Sequence, residues 1–487
     1  MTRLLALDLR SLALLRIGIG TLLFYDLACR LSDFTEFYTD AGVLPRALLT
    51  KEYWNPAWFS IHLFSGEVSG QAFLFLLHAL AALALVVGWK TRVASWACYI
   101  FTLSLHNRNP LILDASDRLF LILMFWGLFI PWESRFSLDA RATPSLAECP
   151  NAVILPGGAG YLIQICIAYL VPAYWKLHPA WITERSAIYR TFELDQFTKP
   201  LGRWLMSFPN LLEAMTLGVF VLEWVAPFLL LAGNNRARMV GVGLIASLHV
   251  GIGLTMDLEF FPLVCTVSLL GCLPSVFWKG KTEGSPLAAF PCRWATHWLT
   301  TALAAMAVLL VLVWNGMVIR NERKPPDKSA LSAVMAALRL TQFWDLFSPV
   351  PRPVDSRFFV EAKLADGSVI DLLRSGQPLS SAEVPYPYRE FKNQRQRIYL
   401  SALEWSVPGP IMHRFLRRQA VAWEEANPER PVLWTRLFSM RRLTRFEDPG
   451  RHPQLYELGW AISPRTSWQG PLPTREGARR PGPGNGP

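Results

Sequence analysis

The run Tyr174-Trp175-Lys176-Leu177-His178-Pro179-Ala180-Trp181 sets a lysine at the end of an apolar stretch, Leu162 to Ala173, hydrophobic enough to sit in lipid. A cation at the edge of the hydrocarbon is costly unless it snorkels to the headgroups, pairs, or gives up its proton. Two roles are therefore open to Lys176. With Trp175 and Trp181 as interface anchors, it reads as a snorkelling interfacial lysine. Held in an apolar pocket, an amine sheds its proton and becomes a base usable near neutral pH.

Three more ionisable groups fall inside apolar runs. His249 sits mid-run in Ala246-Ser247-Leu248-His249-Val250-Gly251. It is either hydrogen-bonded to a neighbouring helix or serves as a proton relay or donor to a bound oxygen. Glu223, between Leu222 and Trp224, must be neutral, paired or facing water. Arg16 and Asp26 on the first run are candidate partners for it. They stand roughly 15 Å apart along a helix and so do not pair with each other. Gly241, Gly243, Gly251 and Gly253 on the His249 run are expected to let helices approach closely. His106-Asn107-Arg108-Asn109 and Asp114-Ala115-Ser116-Asp117 form a dense polar patch, read as a solvated loop with Asp114 or Ser116 capping the next helix.

Other chemistries lack their residues. No His-x-x-x-His, His-Glu-x-x-His or Cys-x-x-Cys spacing occurs, so a metal site has no support, and none is expected. Serine-nucleophile and phosphate-loop motifs are absent too. The formal charge of +11 raises the question of nucleic acid, but no zinc-finger, RNA-binding or helix-turn-helix pattern accompanies it, and no nucleic-acid partner is expected. Basic loops and an Arg-rich tail facing anionic headgroups account for that charge better.

The elements that must hold these groups are membrane helices. Hydrophobic residues make up 52% of the 487-residue chain and charged residues 17%, and the mean hydropathy is +0.25. The 20 tryptophans and 29 phenylalanines suit the two interfaces of a bilayer. The expected fold is an all-α polytopic membrane protein of about nine transmembrane helices, with a small C-terminal α+β extramembrane domain. The nine segments are Leu12–Cys29, Gln71–Trp89, Val93–Leu105, Arg118–Pro131, Ala152–Ala173, Leu211–Ala232, Met239–Met256, Phe260–Phe277 and Trp298–Ile319. Leu12–Cys29 carries Arg16 and Asp26 and has no small-residue cleavage site, so it reads as a retained span and not a signal peptide.

The domain division reads 1–319 transmembrane, 320–463 extracytoplasmic and 464–487 a disordered Pro/Gly/Arg-rich tail. In the second part Ala330–Phe347 reads as an amphipathic helix. Arg357–Leu364 and Val369–Leu373 flank a hairpin turn at Ala365-Asp366-Gly367-Ser368, and Ile411–Glu425 reads as a helix. Lys90 and Arg92, Arg236 and Arg238, and Lys279, Lys281 and Arg293 lie in connections on the side of the N-terminus. By the positive-inside rule the N-terminus is cytoplasmic, in the inner membrane of the cell, and an odd span count puts the C-terminal domain outside.

These segments together resemble a known family. Asp8-Leu9-Arg10-Ser11, Leu14-Leu15-Arg16-Ile17-Gly18 and Phe37-Tyr38-Thr39-Asp40-Ala41-Gly42-Val43-Leu44-Pro45-Arg46 are similar to the opening of horizontally transferred transmembrane domain proteins. These are bacterial relatives of vitamin K-dependent gamma-glutamyl carboxylase. His106-Asn107-Arg108-Asn109-Pro110, Asp117-Arg118-Leu119-Phe120, Phe125-Trp126-Gly127-Leu128 and Phe343-Trp344-Asp345-Leu346-Phe347-Ser348-Pro349 continue the pattern, over roughly residues 1–375.

The resemblance implies a role for each candidate. Lys176-Leu177-His178-Pro179-Ala180-Trp181 matches the spacing around the carboxylase's lysine base, and His249 resembles a histidine on a later span. The implied cofactor is reduced vitamin K or another quinol, held by Trp175, His178, Trp181 and Glu223, with oxygen and carbon dioxide as co-substrates. Lysine takes a quinol proton, and oxygen addition yields a strong base that removes the gamma proton of a glutamate in an exported protein. Carbon dioxide traps the carbanion, and quinone epoxide is the by-product. Two departures stand out: Asp114-Ala115-Ser116-Asp117 replaces an Asn-His pair, and the region after the spans is much shorter than the carboxylase's. Two rival readings remain. A transporter requires Glu223, Arg16 and Asp26 to line one polar path. A non-catalytic membrane partner protein makes Lys176 replaceable.

Overall fold

In chain order the principal helices are α1 (Leu9–Arg30), α2 (Val68–Val87), α3 (Thr91–Arg108), α4 (Ala115–Gly127), α5 (Pro156–Trp175), α6 (Pro209–Leu230), α7 (Asn235–Thr255), α8 (Phe260–Ser268) and α9 (Trp298–Arg320). The computed structural model describes residues 4–143, 151–278, 297–321, 329–378, 387–405, 407, 409–444 and 454–462. The charges Lys279, Lys281 and Arg293 and the tail 464–487 lie outside the described residues.

The outer faces of the helices are apolar. On α2, Phe73, Leu76, Leu80, Leu83 and Val87 are exposed, a stripe at helical spacing that leaves the bundle. Val221, Val225 and Phe228 on α6 and Leu303, Met306 and Leu309 on α9 do the same. Apolar stripes of this extent on several neighbouring helices suit lipid, where the backbone must bond within each helix. Six helical segments among the described residues are long and apolar enough to cross a membrane: Leu9–Tyr38, Val68–Val87, Pro156–Trp175, Pro209–Leu230, Asn235–Thr255 and Trp298–Arg320.

The other three expected spans are helical but differ from that pattern. The 18 residues of α3 end in the polar His106-Asn107-Arg108. The 13 residues of α4 and 9 of α8 reach only about 20 and 14 Å, short of a core of roughly 30 Å. Helix length by itself therefore supports six crossings, and a count of nine rests on these three shorter helices as well. From Leu111 to Trp132 every residue is buried except Leu113, Asp114, Ala115, Arg118 and Phe129, which are partly buried, and α3, α5 and α8 pack around α4.

The polar patch is buried and not solvated. His106, Asn107, Arg108 and Asn109 are all at most 2% exposed. Asn107 donates to Phe59 O, Arg108 to Leu44 O and Asn109 to Phe37 O, so the patch fastens the loop after α1. Asp114 caps α4, as expected, in a capping box with Asp117.

The C-terminal region is a five-stranded antiparallel sheet of order β5-β4-β3-β6-β7. Its strands are β3 (Val354–Leu364), β4 (Val369–Asp371), β5 (Gln377–Pro378), β6 (Val432–Leu443) and β7 (Gln454–Ile462), numbered after a short pair β1 (Leu7–Asp8) and β2 (Ala152–Val153). The expected hairpin is present, with Gly367 at φ 86° in its turn. The expected helix before the sheet is shorter than read: α10 covers only Ala330–Ala337, and Leu338–Pro349 continues as an irregular strap. Arg339, at φ 51°, breaks the helix there. Two more helices follow, α11 (Gln394–Trp405) and α12 (Gly409–Ala426).

Charged side chains lock this region to the bundle. Arg395 of α11 pairs with Asp26 of α1 at 2.5 Å and with Asp117 of α4 at 3.4 Å. Arg30 bridges the same two carboxylates at 2.7 and 2.8 Å. Asp26 is thus paired within this cluster and is not a partner of Glu223.

Candidate functional site

The segment carrying Lys176 is shaped by prolines. Pro172, inside α5, still accepts the Lys176 N–H at 2.9 Å, so Lys176 caps the helix. A cation is favourable at this C-terminal end. His178, before Pro179, is extended at φ −140°, which turns the chain away. The side chain of Lys176 folds back into the bundle and is 3% exposed.

There it meets Glu223 of α6. Lys176 Nζ donates to both carboxylate oxygens, at 2.6 and 2.7 Å, and lies 4.4 Å from the centre of the Trp181 ring. Burial of both groups removes water as an alternative partner, so each depends on the other. The snorkelling reading of Lys176 is therefore not what the geometry presents, and neither Arg16 nor Asp26 is Glu223's partner. Arg16 instead donates to the carbonyls of Leu85, Val86, Trp132 and Phe136. With Asp26 in its own cluster, these three groups form separate knots and no continuous polar path.

Lys176 and Glu223 face a cavity of about 430 Å³ between α5, α6, α7 and the strap. Its wall is chiefly apolar, with Leu222, Ile252 and Phe261 among its residues. His249 of α7 also faces it, and the Tyr169 hydroxyl of α5 lies 2.7 Å from His249 Nε2. Trp181 belongs to the wall, and its indole N–H donates to Pro349 O at 2.9 Å. Trp344, Leu346 and Phe347 of the strap also line it. The strap is tied down by Gln342, which exchanges amide hydrogen bonds with Gln164 at 2.9 Å in each direction. Asn315 and Trp344 also donate to Gln342 Oε1.

Of the six candidate residues, Lys176, Glu223, Trp181 and His249 meet at this cavity; Trp175 and His178 do not line it. Trp175 packs in part against the bundle core beside Tyr174. His178 accepts the Ala180 N–H at 3.2 Å and caps the next short helix. Gly241 does bring α7 against α6, but a Cβ on Gly251 or on Gly218 would meet nothing within 4 Å: both open onto the cavity. Tyr169 was missed in the sequence, although it precedes Lys176 by seven residues and so shares its helix face. The strap residues were visible only as a motif. No group of three or more metal-ligating side chains occurs among the described residues.

A model of the HTTM domain matches residues 6–275. No curated protein and no solved structure matches the chain.

Proposed function

The chain belongs to the HTTM family, whose domain is found in vitamin K-dependent gamma-carboxylase and related proteins, and on that footing we propose that it is a membrane enzyme that oxidises a reduced quinone, with Lys176 as base. The observation that carries this is the Lys176–Glu223 couple in the wall of an apolar cavity. Such a cavity, within the range of about 300–1000 Å³ typical of small-molecule sites, suits a flat apolar ring with polar atoms at its edge. Trp181 and the strap residues Trp344 and Phe347 would hold the ring, with Lys176 and Glu223 at one oxygen.

The couple explains how a buried lysine works as a base. A proton shared at 2.6–2.7 Å rests on either partner. With it on Glu223 the amine is free to take a hydroxyl proton from the ligand. The resulting ammonium then has the ligand oxyanion as counter-ion, so the cavity gains no net charge. The apolar strap residues Trp344, Leu346 and Phe347 would limit water at the couple, which protects a strong base from quenching. When bound and oxidised by oxygen, the quinol supplies the basicity needed to remove a carbon-bound proton from an acceptor, to which carbon dioxide adds, with quinone epoxide as by-product.

Around this core we place nine passes in the inner membrane, the N-terminus in the cytoplasm and the C-terminal domain outside. The acceptor we assign is an exported protein. A groove of about 1000 Å³ lined by Ala41, His413, Arg414, Arg417 and Arg418 supports this, since its charge suits an acidic segment. Quinol turnover by the purified, detergent-solubilised protein tests the reading. Epoxide formed by the wild type and lost in Lys176→Ala supports it; equal turnover in both, or none, removes it and leaves the partner-protein role.

A further inference from the structure

Where the C-terminal region docks on the bundle, carboxylates outnumber the cations that face them. A small cavity of about 40 Å³ lies there between α1, α4, α8 and α11, and Asp26, Asp114, Asp117 and Glu259 line it together with Arg395. Arg30 and Arg395 are both committed to Asp26 and Asp117, so that part of the cluster is neutral. The other guanidiniums nearby are engaged elsewhere: Arg397 donates to Gln196 O and Asp257 O, and Arg118 to Phe343 O. Among the described residues neither Asp114 nor Glu259 has an ion-pair partner. What reaches Asp114 is a set of neutral donors, the N–H groups of Ser116 and Asp117 on one oxygen and the Gln394 amide on the other. Donors on both oxygens favour the carboxylate form.

Gln394, the first residue of α11, is 8% exposed and lines the same cavity. Its backbone N–H donates to Glu259 at 2.8 Å and its amide nitrogen donates to Asp114. Those two bonds to acceptors fix which way the amide is turned, and the oxygen is the atom left over. That Oε1 is buried and has no hydrogen-bond partner among the described residues. Two carboxylates and a spare amide oxygen thus meet around one side chain, with a shortage of positive charge and of donors. Burying such acceptors is costly unless something positive sits among them.

We propose that this cavity holds a monovalent cation of sodium's size, ligated by Asp114, Glu259 and Gln394 Oε1, which joins α11 of the C-terminal region to α4 and α8 of the bundle. Hard cations take oxygen ligands of this kind. A volume of about 40 Å³ accommodates an ion with one or two waters, each of which needs roughly 10–15 Å³ by the same measure. No three acidic, histidine or cysteine side chains come together as ligands among the described residues, so a divalent cage is not what is built here. Glu259 is exposed and gives the ion its way in. The site shares no lining residue with the Lys176 cavity, and it stands whatever that cavity binds.

The test is thermal unfolding of the full-length, detergent-solubilised protein at constant total chloride, with choline replaced stepwise by sodium. Sodium should raise the melting temperature saturably, by roughly 3 °C at a hundredfold excess over its dissociation constant. Choline, too large for the cavity, should have no such effect. Glu259→Gln and Gln394→Met should each move the half-saturating sodium concentration up at least tenfold. A rise that does not saturate, or no difference between sodium and choline, overturns the site. Wild-type half-saturation in both variants overturns it too, by placing the ion elsewhere. A saturating rise with calcium chloride and none with sodium overturns the assignment to a monovalent ion. Should a variant fail to fold, the wild-type comparison of sodium, choline and calcium decides alone.

Discussion

Lys176 of α5 and Glu223 of α6 hold each other through two hydrogen bonds of 2.6 and 2.7 Å, and neither has water to fall back on. Removing one partner strands the other in an apolar wall, while removing both leaves only a change of packing.

Lys176→Ala alone should lower stability by about 3–5 kcal/mol, whereas Lys176→Met with Glu223→Leu should recover most of that loss. Both should be inactive in quinol turnover, so stability and activity separate. Thermal unfolding in detergent, followed by near-ultraviolet circular dichroism, checks this; a double variant no more stable than the single one would contradict it.

Glu223→Gln keeps the volume but leaves Lys176 without a group to hold its proton. Turnover should fall by about 10²–10⁴, the usual contribution of a general base. A variant within a factor of three of the wild type would show that the couple does not share its proton during the reaction.

Gly251 faces the cavity with open space where a Cβ would stand. Gly251→Leu should therefore fill part of the ligand volume without a clash. Stability should be unchanged or raised by about 1 kcal/mol, because glycine is a poor residue inside a helix. Quinol binding should be lost. Retained binding with an unchanged dissociation constant would place the ligand elsewhere.

Asp355 of β3 gives a pH signature outside the membrane. Burial, with Asp195 beside it, pushes its carboxyl up to about 6 against the pull of Arg442. The unfolded chain titrates this group near 3.8, so between about pH 4 and 6 the folded state binds the proton more tightly. Its cost to stability is thus complete above about pH 6 and is relieved as the pH falls through that window. Asp355→Asn should stabilise the protein at pH 7 by roughly 2–3 kcal/mol and have little effect at pH 4. Melting temperatures of both proteins from pH 4 to 7.5 decide it; parallel curves would be the contrary result.

Hydropathy by itself fixed that this chain enters a bilayer, because burying some twenty apolar residues per helix is a property of composition and length. The hairpin at Gly367, the helix at Ile411–Glu425 and the cap at Asp114 were equally legible, since each depends on neighbours in sequence. Lys176, Glu223 and His249 could be singled out because a charge or imidazole in an apolar run needs a reason. Which partner each took could not be read. Glu223 is 47 residues from Lys176, and only the packing of α6 on α5 chose it over Arg16 and Asp26. The lengths of α4 and α8 could not be read, because burial in protein and burial in lipid select the same apolar residues. The strap beside the cavity, and the place of Tyr169 in its wall, are consequences of helix docking. Local sequence sets what each residue can do, and the tertiary contacts decide which of those capacities meet.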